Sequence, residues 1–146
     1  MNDKIRVLLS EEEVAKRIKE MGEVISSDYE GRPLHLICIL KGGVFFTCEL
    51  AKRISLPLTL DFMSVSSYGA GTVSSGIVKI VKDLDEPIEG KDVLIVEDII
   101  DSGNTLSYLI EVLKQRNPRS IELCTLLDKP ERRVKKQVTV KYTCFT

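Results

Sequence analysis

Residues 93–106 have the sequence VLIVEDIIDSGNTL, in which an apolar run is followed by acids and then by small polar residues. The apolar and largely β-branched start, residues 93–96, is typical of a strand that is buried on both faces. After the polar residues, apolar side chains recur at helical spacing, at Leu106, Leu109, Ile110 and Leu113. The pattern therefore predicts a strand, an acidic loop and a helix.

The acids of this segment lie where a parallel α/β sheet binds its ligands, beyond the carboxyl end of a strand. The start of a helix favours an anion, so we expect a phosphate site at residues 102–105. Beside a phosphate, Glu97 and Asp98 are suited to hold a sugar diol or a hydrated Mg²⁺, which prefers oxygen ligands. Asp101 is a candidate for proton transfer. The alternative is a solvated acidic turn without a function.

Residues 97–105, EDIIDSGNT, resemble the phosphoribosyl-pyrophosphate (PRPP) signature of type I phosphoribosyltransferases, and in particular the hypoxanthine-guanine branch. The resemblance implies an α/β fold with a mainly parallel, Rossmann-like sheet flanked by helices, and a flexible hairpin lid. It also implies transfer of phosphoribose from PRPP to hypoxanthine or guanine, which gives IMP or GMP and pyrophosphate.

The same resemblance implies a role for each polar residue of the signature. Glu97 and Asp98 would hold the ribose diol and a hydrated Mg²⁺. Asp101 would be the general base that accepts or shares the N7 proton of the purine. The 5′-phosphate would be bound by Ser102, Gly103, Asn104 and Thr105.

Composition and charge describe a single globular domain of 146 residues, with 43% hydrophobic and 29% charged residues. The net charge of −1 gives no reason for bulk attraction to nucleic acid or membrane. The polar start has no signal-peptide core, and no apolar run is long enough to span a bilayer. The cysteines form no Cys-x-x-Cys pair, so we expect reduced, buried thiols in a cytoplasmic protein.

The remaining periodicity predicts a regular alternation of strands and helices. Ser10 and Glu13 fit a capping box before a helix, whose buried face would be Val14, Ile18, Met21 and Ile25. His35 interrupts an apolar strand and is expected to be structural. The predicted strands are Ile5–Leu9, Leu34–Leu40, Leu56–Val65, Ile77–Val81, Ser120–Leu127 and Val138–Phe145.

A second strand–turn–helix unit surrounds Lys41, Gly42 and Gly43. Lys41 would meet an anionic ligand, and Gly42 would let the backbone come close to it; the alternative is an ordinary lysine beside turn glycines. The hypoxanthine-guanine family has a similar Leu-Lys-Gly turn that contacts pyrophosphate, often through a cis peptide. The following helix would bury Phe45, Phe46, Leu50, Ala51 and Ile54.

Residues 66–76, SSYGAGTVSSG, form a small, polar loop that is a candidate lid, the alternative being a plain hairpin tip. By resemblance, Ser67 and Tyr68 would close over the site and exclude water. Two further segments, Asp83–Lys91 and Glu131–Lys136, are expected to be charged surface connections.

Lys129 follows a predicted strand, so it could face the same cleft as the acids, although an exposed lysine is the alternative. In the family, a lysine in this context donates to the exocyclic oxygen of a 6-oxopurine, and residues 126–130, LLDKP, match that context. The resemblance thus implies that Lys129 selects the purine.

The resemblance covers essentially all of residues 1–146 as one domain, without the C-terminal tail of the family. That tail carries a purine-stacking aromatic residue and an aspartate for a second Mg²⁺, so we expect purine affinity to suffer more than PRPP affinity. The implied partners are PRPP, a 6-oxopurine and further copies of the chain in a dimer or tetramer, with no nucleic acid and no membrane. The alternatives are a nucleotide-sensing regulator that binds RNA or DNA, and a truncated, inactive chain that still binds PRPP.

Overall fold

The computed structural model describes residues 9–67 and 78–146. Its helices are α1 (Glu11–Asp28), α2 (Val44–Ala51) and α3 (Asn104–Lys114). Its strands are β1 (Leu34–Ile39), β2 (Leu58–Ser67), β3 (Val78–Lys82), β4 (Asp92–Ile100), β5 (Ser120–Asp128) and β6 (Tyr142–Phe145), and a 3₁₀ turn covers Pro130–Arg132.

The strands form one six-stranded sheet in the order β3-β2-β1-β4-β5-β6. All neighbouring strands are parallel except β3, which pairs antiparallel with β2. The α/β fold with a mainly parallel sheet is therefore confirmed. The chain moves outward from β1 in one direction and from β4 in the other, so the topological switch point lies between β1 and β4, where such sheets bind ligands.

Alternating side chains of the central strands bury two separate cores, one on each face of the sheet. On one face, Leu36 and Leu94 pack with residues of α1 and α2. On the other face, Ile37 and Ile95 pack with residues of α3. Burial on both faces explains why these strands are almost continuously apolar.

The first helix follows its sequence pattern closely. The Ser10 hydroxyl accepts a hydrogen bond from the Glu13 amide at 3.1 Å, and the Glu13 carboxylate accepts one from the Ser10 amide at 3.0 Å. Ile18, Met21 and Ile25 are buried as expected, and Val14 is partly buried against the same core. The predicted capping box and buried face of α1 are therefore confirmed.

Other expectations need correction. In α2 the buried residues are Phe46, Thr47 and Leu50, so Phe45 faces away from the sheet and is 85% exposed. The connection from residue 83 to 91 is not purely surface, because Ile88 lies in the core beneath α3. The predicted strand Ile5–Leu9 falls almost wholly outside the described residues.

The last strand is shorter than the predicted Val138–Phe145, because pairing with β5 begins only at Tyr142. The start of the predicted strand is engaged elsewhere: the Val138 amide donates to the Lys135 carbonyl at 3.0 Å, and the Val138 carbonyl accepts a hydrogen bond from the Arg133 guanidinium at 3.2 Å. Both backbone groups of Val138 are therefore used locally and are not available for a ladder with β5.

His35 has the expected structural environment. It is 2% exposed, its Nδ1 lies 2.5 Å from the Thr59 hydroxyl, and burial lowers its pKa. The cysteines are free thiols, and Cys38, Cys124 and Cys144 are buried, but Cys48 is exposed, contrary to the expectation. Among the described residues, no helix is long and apolar enough to cross a membrane.

Candidate active site

A cavity of about 260 Å³ opens at the switch point between β1 and β4. Its walls combine the ends of both strands with the loop and helix that follow β4, and it includes Glu97 and Asp101. The predicted phosphate residues all line it: Ser102, Gly103, Asn104 and Thr105. The structure therefore brings most of the signature together at one edge of the sheet.

The acidic pair lies in a strand and not in a loop, which corrects the prediction. β4 continues through Glu97 and Asp98 to Ile100, paired with β5 along this stretch. Successive side chains of a strand point to opposite faces, so the two acids diverge. Glu97 accordingly lines the cavity, and Asp98 is not among its lining residues.

Among the described residues, burial and neighbouring negative charges dominate the electrostatics around Glu97. Burial raises the pKa of Glu97 to about 7, and the negative charges of Asp98 and Asp101 add to the rise, against a hydrogen bond from the Asp98 amide. Burial also raises the pKa of Asp98. A cation or a hydroxyl donor near these groups would relieve the cost of ionising them.

The loop after β4 is organised around its own polar groups. The Asp101 carboxylate accepts a hydrogen bond from the Ser102 amide at 2.7 Å, and the Ser102 hydroxyl accepts one from the Asn104 amide at 3.3 Å. Gly103 is the N-cap residue before α3 and has a φ of 80°, a left-handed conformation that residues other than glycine rarely adopt. The N-terminus of α3, which is the positive end of the helix dipole, therefore lies at the cavity.

The turn after β1 forms the opposite wall. The Leu40–Lys41 peptide bond is cis, as the resemblance implied, and Leu40 lines the cavity. Lys41 and Gly42 are exposed directly after it. Of the two glycines in this turn, Gly43 is the crowded one, since a Cβ atom there would lie 3.0 Å from the Ile39 carbonyl oxygen.

Lys129 lies at the same edge of the sheet but is not a lining residue of this cavity. The β4–β5 register pairs Ile100 with Asp128, and the Lys129 amide donates to the Ile100 carbonyl at 2.9 Å. Lys129 is therefore the neighbour of Asp101 across the ends of these strands. Of the proposed lid residues, Ser67 ends β2 and Tyr68 lies outside the described residues.

The sequence analysis missed Arg133, because it lies within the segment Glu131–Lys136, which was expected to be a charged surface connection. Its side chain is only 8% exposed and pairs with the Asp128 carboxylate. Its Nε also donates to the Asp101 carbonyl at 2.9 Å. Periodicity gives no signal for such a residue, because neighbouring Arg132 has the same charge and is exposed.

The described residues contain no group of three or more His, Cys, Asp or Glu side chains that could hold a metal ion by themselves. Mg²⁺ is commonly held by one or two carboxylates together with substrate oxygens and water. The carboxyl of Glu97, whose ionisation is disfavoured by burial, fits a site shared with substrate oxygens, whereas Asp98 does not line the same cavity.

These features belong together in one class of protein: a switch-point cavity with a phosphate-binding loop, acids at the end of β4 and a cis peptide after β1. The model of the phosphoribosyl transferase domain family matches residues 6–146, and the chain belongs to this family.

Its relatives lie in the hypoxanthine-guanine branch. The chain is 49% identical to the hypoxanthine-guanine phosphoribosyltransferase of Streptococcus thermophilus, over 96% of this chain and 77% of that protein. It superimposes on a hypoxanthine phosphoribosyltransferase from Staphylococcus aureus with a TM-score of 0.90 and 48% identity, over 94% of this chain and 74% of that one.

A bifunctional protein TilS/HprT from Listeria innocua is 55% identical over 88% of this chain. The chain spans only 20% of the length of that bifunctional relative.

Proposed function

We propose that this chain transfers the phosphoribosyl group of PRPP to hypoxanthine or guanine, with Mg²⁺, as a purine salvage enzyme of the cytoplasm. The observation that carries the proposal is the cavity at the β1–β4 switch point, which places Glu97, Asp101 and the loop 102–105 together. The similarity to hypoxanthine-guanine phosphoribosyltransferases supports it. We also expect the enzyme to be a dimer or tetramer, by analogy with the family.

PRPP would bind with its 5′-phosphate on residues 102–105. The left-handed Gly103 allows the chain to turn into α3, whose positive end favours the phosphate. Glu97 would accept hydrogen bonds from the ribose hydroxyls inside the cavity. Lys41 and Gly42 would contact the pyrophosphate from the opposite wall, across the end of β1.

The reaction breaks the bond between ribose C1 and pyrophosphate and forms a bond between C1 and purine N9. Asp101 would take up or share the proton at purine N7 while N9 attacks. Lys129 would donate a hydrogen bond to the 6-oxo group. The enzyme would therefore prefer hypoxanthine and guanine to adenine. Ser67 and Tyr68 would exclude water, which would otherwise hydrolyse PRPP.

Magnesium would be held in the cavity by the Glu97 carboxylate together with substrate oxygens and water. Asp98, whose side chain points to the opposite face of the strand, would act on the ion only through its nearby negative charge. When bound, it would neutralise charge on the departing pyrophosphate. The elevated pKa of Glu97 fits a site that is completed by a cation.

The proposal is tested by incubating the purified chain with PRPP, Mg²⁺ and hypoxanthine, guanine or adenine, and measuring nucleotide and pyrophosphate together. We expect equal amounts of both products with the two 6-oxopurines, much less with adenine, and none after chelation of Mg²⁺. Pyrophosphate release without nucleotide would indicate a PRPP-binding hydrolase, and no turnover of any base would contradict the proposal.

A further inference from the structure

The guanidinium of Arg133 ties three separate segments of the chain together. Nε donates to the Asp101 carbonyl at 2.9 Å and one terminal nitrogen donates to the Val138 carbonyl at 3.2 Å. The other terminal nitrogen pairs with the Asp128 carboxylate at the end of β5. The side chain is only 8% exposed and each of its three nitrogens has a partner, so Arg133 is a buried cation and not a solvated surface arginine.

These contacts fix the orientation of the peptide that begins the phosphate loop. The Asp101 carbonyl faces Arg133, and the next carbonyl, of Ser102, accepts from the amides of Val134 and Lys135. In a trans peptide the carbonyl and the following N–H point in opposite directions. Anchoring both carbonyls on one side therefore directs the amides of Ser102 and Gly103 to the other side.

The orientation of this peptide also sets the position of the Asp101 carboxylate. The Ser102 amide, turned away from Arg133, donates to the Asp101 carboxylate at 2.7 Å. If the peptide rotated, this hydrogen bond would be lost and the carboxylate would be free to take other rotamers. Arg133 thus acts on both the phosphate loop and the acid beside it without lining the cavity.

Packing supports the same arrangement. The aliphatic part of Arg133 lies against the loop at its left-handed glycine, since a Cβ atom on Gly103 would be 3.1 Å from Arg133 Cδ. The loop can approach the arginine so closely only because residue 103 has no side chain.

We propose that Arg133 is a positioning residue that holds the 101–102 peptide in the orientation required for phosphate binding and for proton transfer by Asp101. The kinetic part of this inference rests on the proposed phosphoribosyl transfer. The structural part, an arginine that orders residues 101–106, does not depend on the reaction.

The test compares Arg133→Lys and Arg133→Ala with Arg132→Ala, which removes the same charge one residue away at an exposed position. We expect both Arg133 variants to raise KM for PRPP and to lower kcat, by about a hundredfold in kcat/KM for Arg133→Ala, because small misplacements of reacting groups have effects of that size. The lysine variant, which keeps the charge but loses the fork geometry, should lie between wild type and alanine. Arg132→Ala should have the same kcat and the same KM for PRPP as wild type.

Two further measurements separate positioning from mere stability. Guanidinium at a non-denaturing concentration should partly restore the kcat/KM of Arg133→Ala and leave that of Arg132→Ala unchanged. Amide hydrogen exchange should show lost protection confined to residues 101–106 in both Arg133 variants, measured with and without PRPP–Mg²⁺. If the alanine variant does not fold, the lysine variant carries the same comparison.

Wild-type kinetics and unchanged exchange at residues 101–106 in a folded Arg133 variant would overturn the proposal. So would a uniform loss of protection across the sheet with unchanged kcat and KM, which is the signature of a purely stabilising ion pair. If wild type itself makes no nucleotide, the proposed function fails, and hydrogen exchange still decides whether Arg133 orders the loop.

Discussion

Glu97→Gln should make the free protein more stable at neutral and alkaline pH. The pKa of Glu97 is raised from 4.5 to about 7, first by burial and then by the charges of Asp98 and Asp101. Glutamine keeps the shape of the side chain but never ionises. The variant therefore removes the cost of a buried negative charge and leaves the packing of the cavity wall almost unchanged.

The sign follows from proton binding in the two states. Between pH 4.5 and about 7, the folded protein keeps the Glu97 proton and the unfolded chain has lost it. Folding stability from this group is therefore fully present below the unfolded pKa and falls as pH rises towards the folded pKa. Moving a pKa from 4.5 to about 7 corresponds to a free energy of about 3 kcal/mol.

The assay is urea unfolding of wild type, Glu97→Gln and Glu23→Gln between about pH 4 and about pH 8, with the difference between variants as the readout. Glu23 lies exposed on α1, so its replacement removes a carboxyl without relieving burial. We expect Glu97→Gln to equal wild type near the acid end and to exceed it by up to about 3 kcal/mol at the alkaline end. A stability difference that does not change across this range would refute the reasoning.

Asp101→Asn should keep PRPP binding by calorimetry while kcat falls by about 10²–10⁴-fold, the usual contribution of a general base; wild-type kcat would remove Asp101 from the mechanism. Lys129→Ala should raise KM for hypoxanthine and spare the affinity for PRPP, because an unmet buried hydrogen bond costs about 1–3 kcal/mol; equal losses for both substrates would place its role elsewhere. Gly103→Ala should lower the free energy of unfolding by about 1–3 kcal/mol, since residue 103 has a left-handed φ and a crowded neighbour in Arg133; unchanged urea unfolding would show that the loop relaxes.

The fold was largely predictable because its signals are local. The buried strands are apolar runs, and the helix after Ser10 carries both its cap and its buried face in the sequence. Boundaries were less predictable where tertiary contacts decide them. β4 runs on through Glu97 and Asp98 because β5 pairs with it there, although an acidic pair resembles a loop. Phe45 looks like a core residue and is exposed, since the geometry of α2 places Phe46 against the sheet instead.

The residues of the candidate site also differ in how well the sequence could predict them. Residues 101–105 form one continuous motif, so the sequence could locate the phosphate loop. Arg133 could not be found, because its significance depends on a carbonyl 32 residues earlier in the chain. The sequence does not distinguish a buried arginine from an exposed one. Only the path of the segment after β5 shows that Arg133 is buried and Arg132 is exposed.

The register between β4 and β5 explains how the proposed base and the proposed purine-reading residue come to be neighbours. Ile100 pairs with Asp128, and the Lys129 amide bonds to the Ile100 carbonyl at 2.9 Å. Asp101 and Lys129 are therefore each the first residue beyond the paired ends of adjacent strands. A slip of one residue would turn every side chain of β5 to the other face and remove Leu123 and Cys124 from the two cores that they now fill. The hydrophobic cores on the two faces of the sheet therefore determine the register between β4 and β5. This register in turn places Asp101 and Lys129 next to each other.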